Sequence, residues 1–273
     1  MSKSQASAGY FRNGMPYNRV GHGPRSLVVL QGLVFEHKPL TERSARFMLS
    51  AHRFLEEEYT TYVVSRRPGL PQGYSMRDMA DDYAMMIREE FGEPVDVLGT
   101  STGGSIAQHL AADHPEVVRR LILHASAHTL GDAGKEVQVR VADLAQQGKW
   151  RKASGELLSF MTSANRFGRI TAAIGSFFMA LTAPDDASDL AVMVEAEDKH
   201  DFQARLGDIR APALVIAGAE DPFYSEALLR ETAAGIPNAR LILYPGKGHA
   251  PTGKQLERDV LAFLREHGID PRS

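Results

Sequence analysis

Six short apolar runs, at residues 27–30, 60–64, 95–98, 121–124, 213–217 and 241–244, recur along this chain with amphipathic segments between them. Runs that stay apolar without alternating suit strands covered on both faces, as in a mostly parallel sheet where neither side meets water. Strand, helix, strand in repetition requires right-handed crossovers, so the pattern predicts an α/β fold with a doubly wound sheet. Helices are expected over 41–58, 75–91, 101–114, 225–234 and 254–267. Ser75 and Asp78 form a capping box, and Met79, Tyr83, Met86 and Ile87 follow as a buried helical stripe. The N-terminal segment, 1–26, is expected to add one or two short strands between Tyr10 and Val20.

Between residues 130 and 206 the alternation stops, and helical periodicity runs on with no convincing strand. Boundaries at Gly148, 165–168 and 183–185 divide this stretch into about four helices. The expected organisation is a core built from 27–129 and 207–273, interrupted by a helical insertion at 130–206.

A formal charge of −3 provides no basic excess to neutralise a phosphate backbone, so nucleic acid is not an expected partner. The absence of cysteine removes disulfides, thiolate catalysis and cysteine-ligated zinc. Residues 1–25 lack the apolar core of a signal peptide, and no window is long and apolar enough to span a bilayer. The expectation is a soluble, cytoplasmic protein acting on a small molecule; oligomeric state is left open.

Directly after the run at 95–98 comes Gly99-Thr100-Ser101-Thr102-Gly103-Gly104, followed by a helix-forming stretch. This is G-x-S-x-G in strand–turn–helix context. A nucleophile held on so sharp a turn has strained backbone angles, and the neighbours two residues away must lack bulk. The turn also places the N–H of Thr102 at a helix start, where the dipole favours a developing oxyanion. A serine hydroxyl needs a histidine to take its proton and a carboxylate to orient that histidine. Candidates follow the last two strands: Glu220 and Asp221 after 213–217, and His249 after 241–244. Carboxyl ends of parallel strands are where open α/β sheets build their sites.

In this chain order, Ser101, Asp221, His249, the sequence resembles the α/β-hydrolase fold superfamily, over nearly all of residues 27–267. G-x-x-D-P matches at Gly218 to Pro222 and G-H at Gly248 and His249. The resemblance assigns the acid to Asp221 rather than Glu220, and it places the helical insertion where relatives often carry a cap. It implies two oxyanion donors, the backbone N–H groups of Thr102 and Leu33. Relatives commonly have His-Gly where this chain has Gln31-Gly32, a departure that alters the polarity beside the substrate and leaves the backbone donor in place. After the run at 121–124, Ala125 and Ser126 offer no alternative carboxylate.

Gln31, His128 and Trp150 are candidates to touch the substrate. His22, His37, His52, His114, His200 and His267 are expected on solvated loops or polar helix faces, and Arg66-Arg67 on a surface loop, with a role at the site's edge in binding an acidic group as the alternative. The insertion carries Trp150, Leu157, Phe160, Met161, Phe167, Ile170, Phe177, Phe178, Met179 and Met193, most of them packing residues and a minority lining an apolar pocket above Ser101. No histidine or carboxylate spacing suggests a metal, and no cofactor is called for. The implied activity is hydrolysis of a carboxylic ester or lactone of a small, largely apolar compound. The same fold also hosts carbon–carbon bond hydrolases and cofactor-free perhydrolases or haloperoxidases, and a ligand-sensing protein with slow turnover is the alternative of another class. A haloalkane dehalogenase would need a carboxylate where this chain has Ser101.

Overall fold

The computed structural model describes residues 7–40, 49–161 and 183–266. Each of the six apolar runs is a strand: β3 (Arg25–Leu30), β4 (Tyr59–Val64), β5 (Val95–Thr100), β6 (Val118–His124), β7 (Ala213–Gly218) and β8 (Ala239–Tyr244). Two more, β1 (Ser7–Tyr10) and β2 (Pro16–Val20), precede them. They form one sheet in the order β1-β2-β4-β3-β5-β6-β7-β8. The pairs β1–β2 and β2–β4 are antiparallel, and the others are parallel.

The lack of alternation has the expected cause: both faces of the sheet are covered. Val28, Leu30, Val97, Leu121, Leu123 and Val215 belong to one core, and Leu27, Val29, Leu98, Ile122, Leu214 and Ile216 to the other. Helices α1 (Met76–Glu90) and α2 (Thr102–Asp113) pack into the first core, together with Leu229 of α6 (Glu226–Gly235). Val260, Phe263 and Leu264 of α7 (Lys254–Arg265) close the second. Removing each such side chain from water contributes about 1.5–3 kcal/mol. The predicted capping box opens α1: the Asp78 N–H donates to Ser75 Oγ at 3.2 Å, and the Ser75 N–H donates to Asp78 Oδ2 at 2.9 Å.

Three α-helices are described between β6 and β7, α3 (Asp132–Gln146), α4 (Trp150–Met161) and α5 (Ser188–Asp198), followed by a 3-10 helix at Gln203–Asp208. Residues 162–182, which include Phe167, Ile170, Phe177, Phe178 and Met179, lie outside the described residues. Entry and exit of the stretch are pinned together by a bridge between Thr129 and Asp201 and by a bond from the Phe202 N–H to the His128 carbonyl at 2.8 Å.

The helix expected over 41–58 is not found where the chain is described. Leu49–Leu55 is a 3-10 helix, and residues 56–58 turn directly into β4. The Glu56 carbonyl accepts the His22 N–H and the Glu58 carbonyl accepts the Arg25 N–H, so these groups are committed to a neighbouring segment.

Candidate active site

At the carboxyl end of β5 the chain reverses into α2 through Ser101, whose φ of 52° and ψ of −126° are strained for a residue with a side chain. The surrounding glycines are required by contact. A Cβ on Gly99 would lie 2.6 Å from the Gly103 carbonyl oxygen. One on Gly103 would lie 2.1 Å from the Leu30 carbonyl oxygen and 2.6 Å from that of Gln31. The elbow is therefore pressed against the end of β3. The Ser101 N–H donates to the His124 carbonyl at 3.0 Å, anchoring the turn to β6.

Gly32 faces the same elbow, since a Cβ there would lie 3.3 Å from the Ser101 Cβ. The loop that carries it is held by Arg66. Arg66 is only 1% exposed; its Nη1 donates to the Gln31 carbonyl at 2.5 Å and its Nη2 to the Gly32 carbonyl at 2.9 Å. The chain has no cis peptide among the described residues, and in a trans peptide the N–H opposes the C=O. Fixing the Gly32 carbonyl on Arg66 thus fixes the Leu33 N–H in the opposite sense. Arg66 was expected on a surface loop. It is buried instead because the two loop carbonyls, with support for its charge from Tyr83 and Glu197, offset the desolvation that pushes its pKa down.

At the end of β7 two neighbouring acids separate by environment. Glu220 is exposed, with its N–H on the Lys247 carbonyl at 2.9 Å. Asp221 is buried: Oδ1 accepts the N–H groups of Phe223 at 2.8 Å and Tyr224 at 3.3 Å, and Oδ2 meets His249 Nδ1 at 2.8 Å. A carboxylate only accepts, so Nδ1 carries the proton and the lone pair of the neutral imidazole is on Nε2. Gly218 permits this meeting, because a Cβ there would lie 2.2 Å from the carbonyl oxygens of both Lys247 and Gly248.

Two residues not singled out from the sequence complete this arm. His124, at the end of β6, donates from Nε2 to the Pro251 carbonyl at 3.0 Å; burial lowers its pKa to about 4, so it stays neutral and braces the histidine loop. Tyr224 is fully buried, its ring stacked on that of His249 with centroids 6.1 Å apart, and its hydroxyl points to Glu197 Oε1 at 3.4 Å. Burial pushes this phenol well above its ordinary pKa, which keeps it a neutral donor. The available signal for Arg66, His124 and Tyr224 was position alone: each is at or just beyond a strand's carboxyl end.

The inserted helices reach the site through aromatic contacts. Phe160 of α4 packs edge-on against Phe223 at 4.7 Å, and Phe223 lies 4.6 Å from the His249 ring. Trp150 packs on Phe35, a few residues beyond the loop that Arg66 holds, at 5.5 Å. His128, a candidate for substrate contact, is held elsewhere: its Nε2 lies 3.3 Å from Glu231 of α6 and its Nδ1 lies 3.8 Å from Asp201. Its backbone N–H is also engaged, on Thr232 Oγ1 at 2.9 Å, so both ring and backbone are tied to α6. Contrary to expectation, His37 and His200 are buried at 4% exposure, and His37 Nδ1 bonds Ser65 Oγ at 2.8 Å. Their loops are folded under neighbouring elements, which local polarity does not reveal. His267 lies outside the described residues.

The chain matches the model of the alpha/beta hydrolase family over residues 22–260. A pimeloyl-[acyl-carrier protein] methyl ester esterase of Chromobacterium violaceum is 29% identical over 208 residues, covering 73% of this chain and 78% of the relative. The mouse serine hydrolase BPHL is 23% identical over 242 residues, covering 85% and 76%. Among solved structures, the enol-lactonase from Burkholderia xenovorans superposes with a TM-score of 0.77 at 21% identity, covering 95% of this chain and all of that one. With its sheet, its strand-end site and a family match spanning most of its length, this chain belongs to the alpha/beta hydrolase family and is an enzyme, a hydrolase.

Proposed function

We propose that this hydrolase cleaves a carboxylic ester or lactone of a small, largely apolar substrate through Ser101, His249 and Asp221. The Asp221–His249 bond at 2.8 Å, on the same sheet edge as the strained Ser101, carries the reading. Ser101 Oγ attacks the carbonyl carbon while His249 Nε2 takes its proton, and Asp221 holds Nδ1–H and stabilises the imidazolium. The N–H groups of Thr102 and Leu33 receive the oxyanion. Collapse breaks the carbon–oxygen bond, and His249 returns the proton to the departing alkoxide. Water, deprotonated by the same nitrogen, then releases the acid from Ser101. The helices between β6 and β7 act as a cap; Phe160, Phe223 and Trp150 supply apolar surface on that side, which supports a substrate with little charge.

Intact mass after exposure to a fluorophosphonate, together with hydrolysis of short- and medium-chain p-nitrophenyl esters, tests the reading. The expected result is one adduct on the wild type, none on Ser101→Ala, and turnover lost with it. An adduct or turnover that survives Ser101→Ala would overturn it.

A further inference from the structure

Glu197 is a carboxylic acid with no exposed surface, in a helix whose other buried residues are Leu190, Val192, Met193, Val194 and Ala196. Burying an acid is costly unless its partners compensate, and here they are unusual in where they come from. Ser105 Oγ donates to Glu197 Oε1 at 2.7 Å. Ser105 lies in the first turn of α2, four residues after Ser101. The Tyr224 hydroxyl, from the acid loop beside His249, lies 3.4 Å from the same oxygen. Burial raises the pKa of Glu197, and the guanidinium of Arg66, which grips the Gln31 and Gly32 carbonyls, opposes that rise. One side chain from α5 thus bonds to the elbow helix through Ser105 and reaches the acid loop through Tyr224, within the electrostatic reach of Arg66.

Two features set this cluster apart from ordinary helix docking. A methionine or leucine in this position would pack α5 against α2 without a desolvation cost. Oε2 accepts no hydrogen bond from the described residues, so the acid is not placed for maximal satisfaction of its own groups.

We propose that Glu197 is a positioning residue that holds the nucleophile elbow, the acid loop and, through Arg66, the oxyanion loop in register. It acts through Ser105, Tyr224 and Arg66 and does not touch substrate. This rests on the serine-hydrolase reading above, in which those three parts meet one tetrahedral intermediate.

The test titrates active sites with a fluorophosphonate and measures kcat, KM and the phosphonylation rate per titrated site for wild type, Glu197→Gln and Ser105→Ala. Glutamine keeps the shape and an acceptor for Ser105 but removes the charge beside Arg66. The expected result is a loss of about tenfold in kcat and in phosphonylation rate for each single variant, with KM nearly unchanged and a double-variant loss smaller than the product of the two. Should Glu197→Gln fail to accumulate, Ser105→Ala, which removes only one donor, carries the same expectation. Wild-type kcat and phosphonylation per titrated site in the folded variants, whatever their melting temperature, would show a purely structural acid and overturn the proposal. Absence of a Ser101-dependent adduct on the wild type would instead remove the hydrolytic reading itself.

Discussion

The nucleophile elbow and the oxyanion loop lie in contact, yet they are built differently. The elbow is six consecutive residues, Gly99 to Gly104, whose strand–turn–helix pattern is local, with Gly99 clearing the turn's own Gly103 while Gly103 clears the end of β3. The loop at Gln31 to Leu33 has no such internal logic. Its orientation comes from Arg66, more than thirty positions later, which holds two of its carbonyls from beneath. The acid and the histidine resemble the loop in this respect, since Asp221 and His249 are 28 positions apart and meet only because β7 and β8 are neighbours. Parts made within one turn survive in the local sequence, and parts made across the fold do not.

The largest effect should come from a part assembled across the fold. Asp221→Asn keeps the size of the side chain but cannot hold Nδ1–H as a carboxylate does. It should lower kcat by roughly 10⁴-fold, measured on the best p-nitrophenyl ester. A loss below tenfold would mean that His249 is oriented by something other than Asp221.

Arg66→Lys addresses the loop directly. The charge beside Glu197 remains, but one ammonium cannot grip two carbonyls as a guanidinium fork does. The expected loss in kcat is about 10- to 100-fold with KM little changed, approaching the cost of removing one oxyanion donor. Wild-type kcat would show that the loop holds itself, and the contrast with the elbow would collapse.

A third prediction concerns histidines whose rings are wholly or partly shielded from water. Burial lowers His52, His109 and His124 to about 4 and His200 to about 3, so their folded forms refuse protons that the unfolded chain accepts near pH 6.5. Between those values the unfolded state binds more protons, and stability falls as pH falls. Melting temperature should be steady above about pH 6.5 and decline from there toward pH 4, with a shallower slope in His200→Phe. A flat profile over this interval would mean that these rings are solvated after all.

The smallest effect is expected next to the largest. Glu220→Gln changes an exposed side chain whose residue contributes a backbone bond to Lys247, and kcat should stay within about threefold of wild type. A large loss would move the acid from Asp221 to its neighbour.

By itself the sequence determined the layer architecture, the six core strands, the α1 capping box and the elbow, because each depends on periodicity or on sterics within a few residues. It also located Asp221 and His249, as polar residues just past strand ends. Only the tertiary structure decided that Arg66 lies beneath the oxyanion loop, that His128 is tied to α6, that His37 and His200 are buried, and that Glu197 of α5 reaches the elbow helix. Each of these turns on which distant element covers a polar side chain. A charged residue on a solvated loop and one folded under a neighbour have the same local sequence, and desolvation by remote parts of the chain separates them.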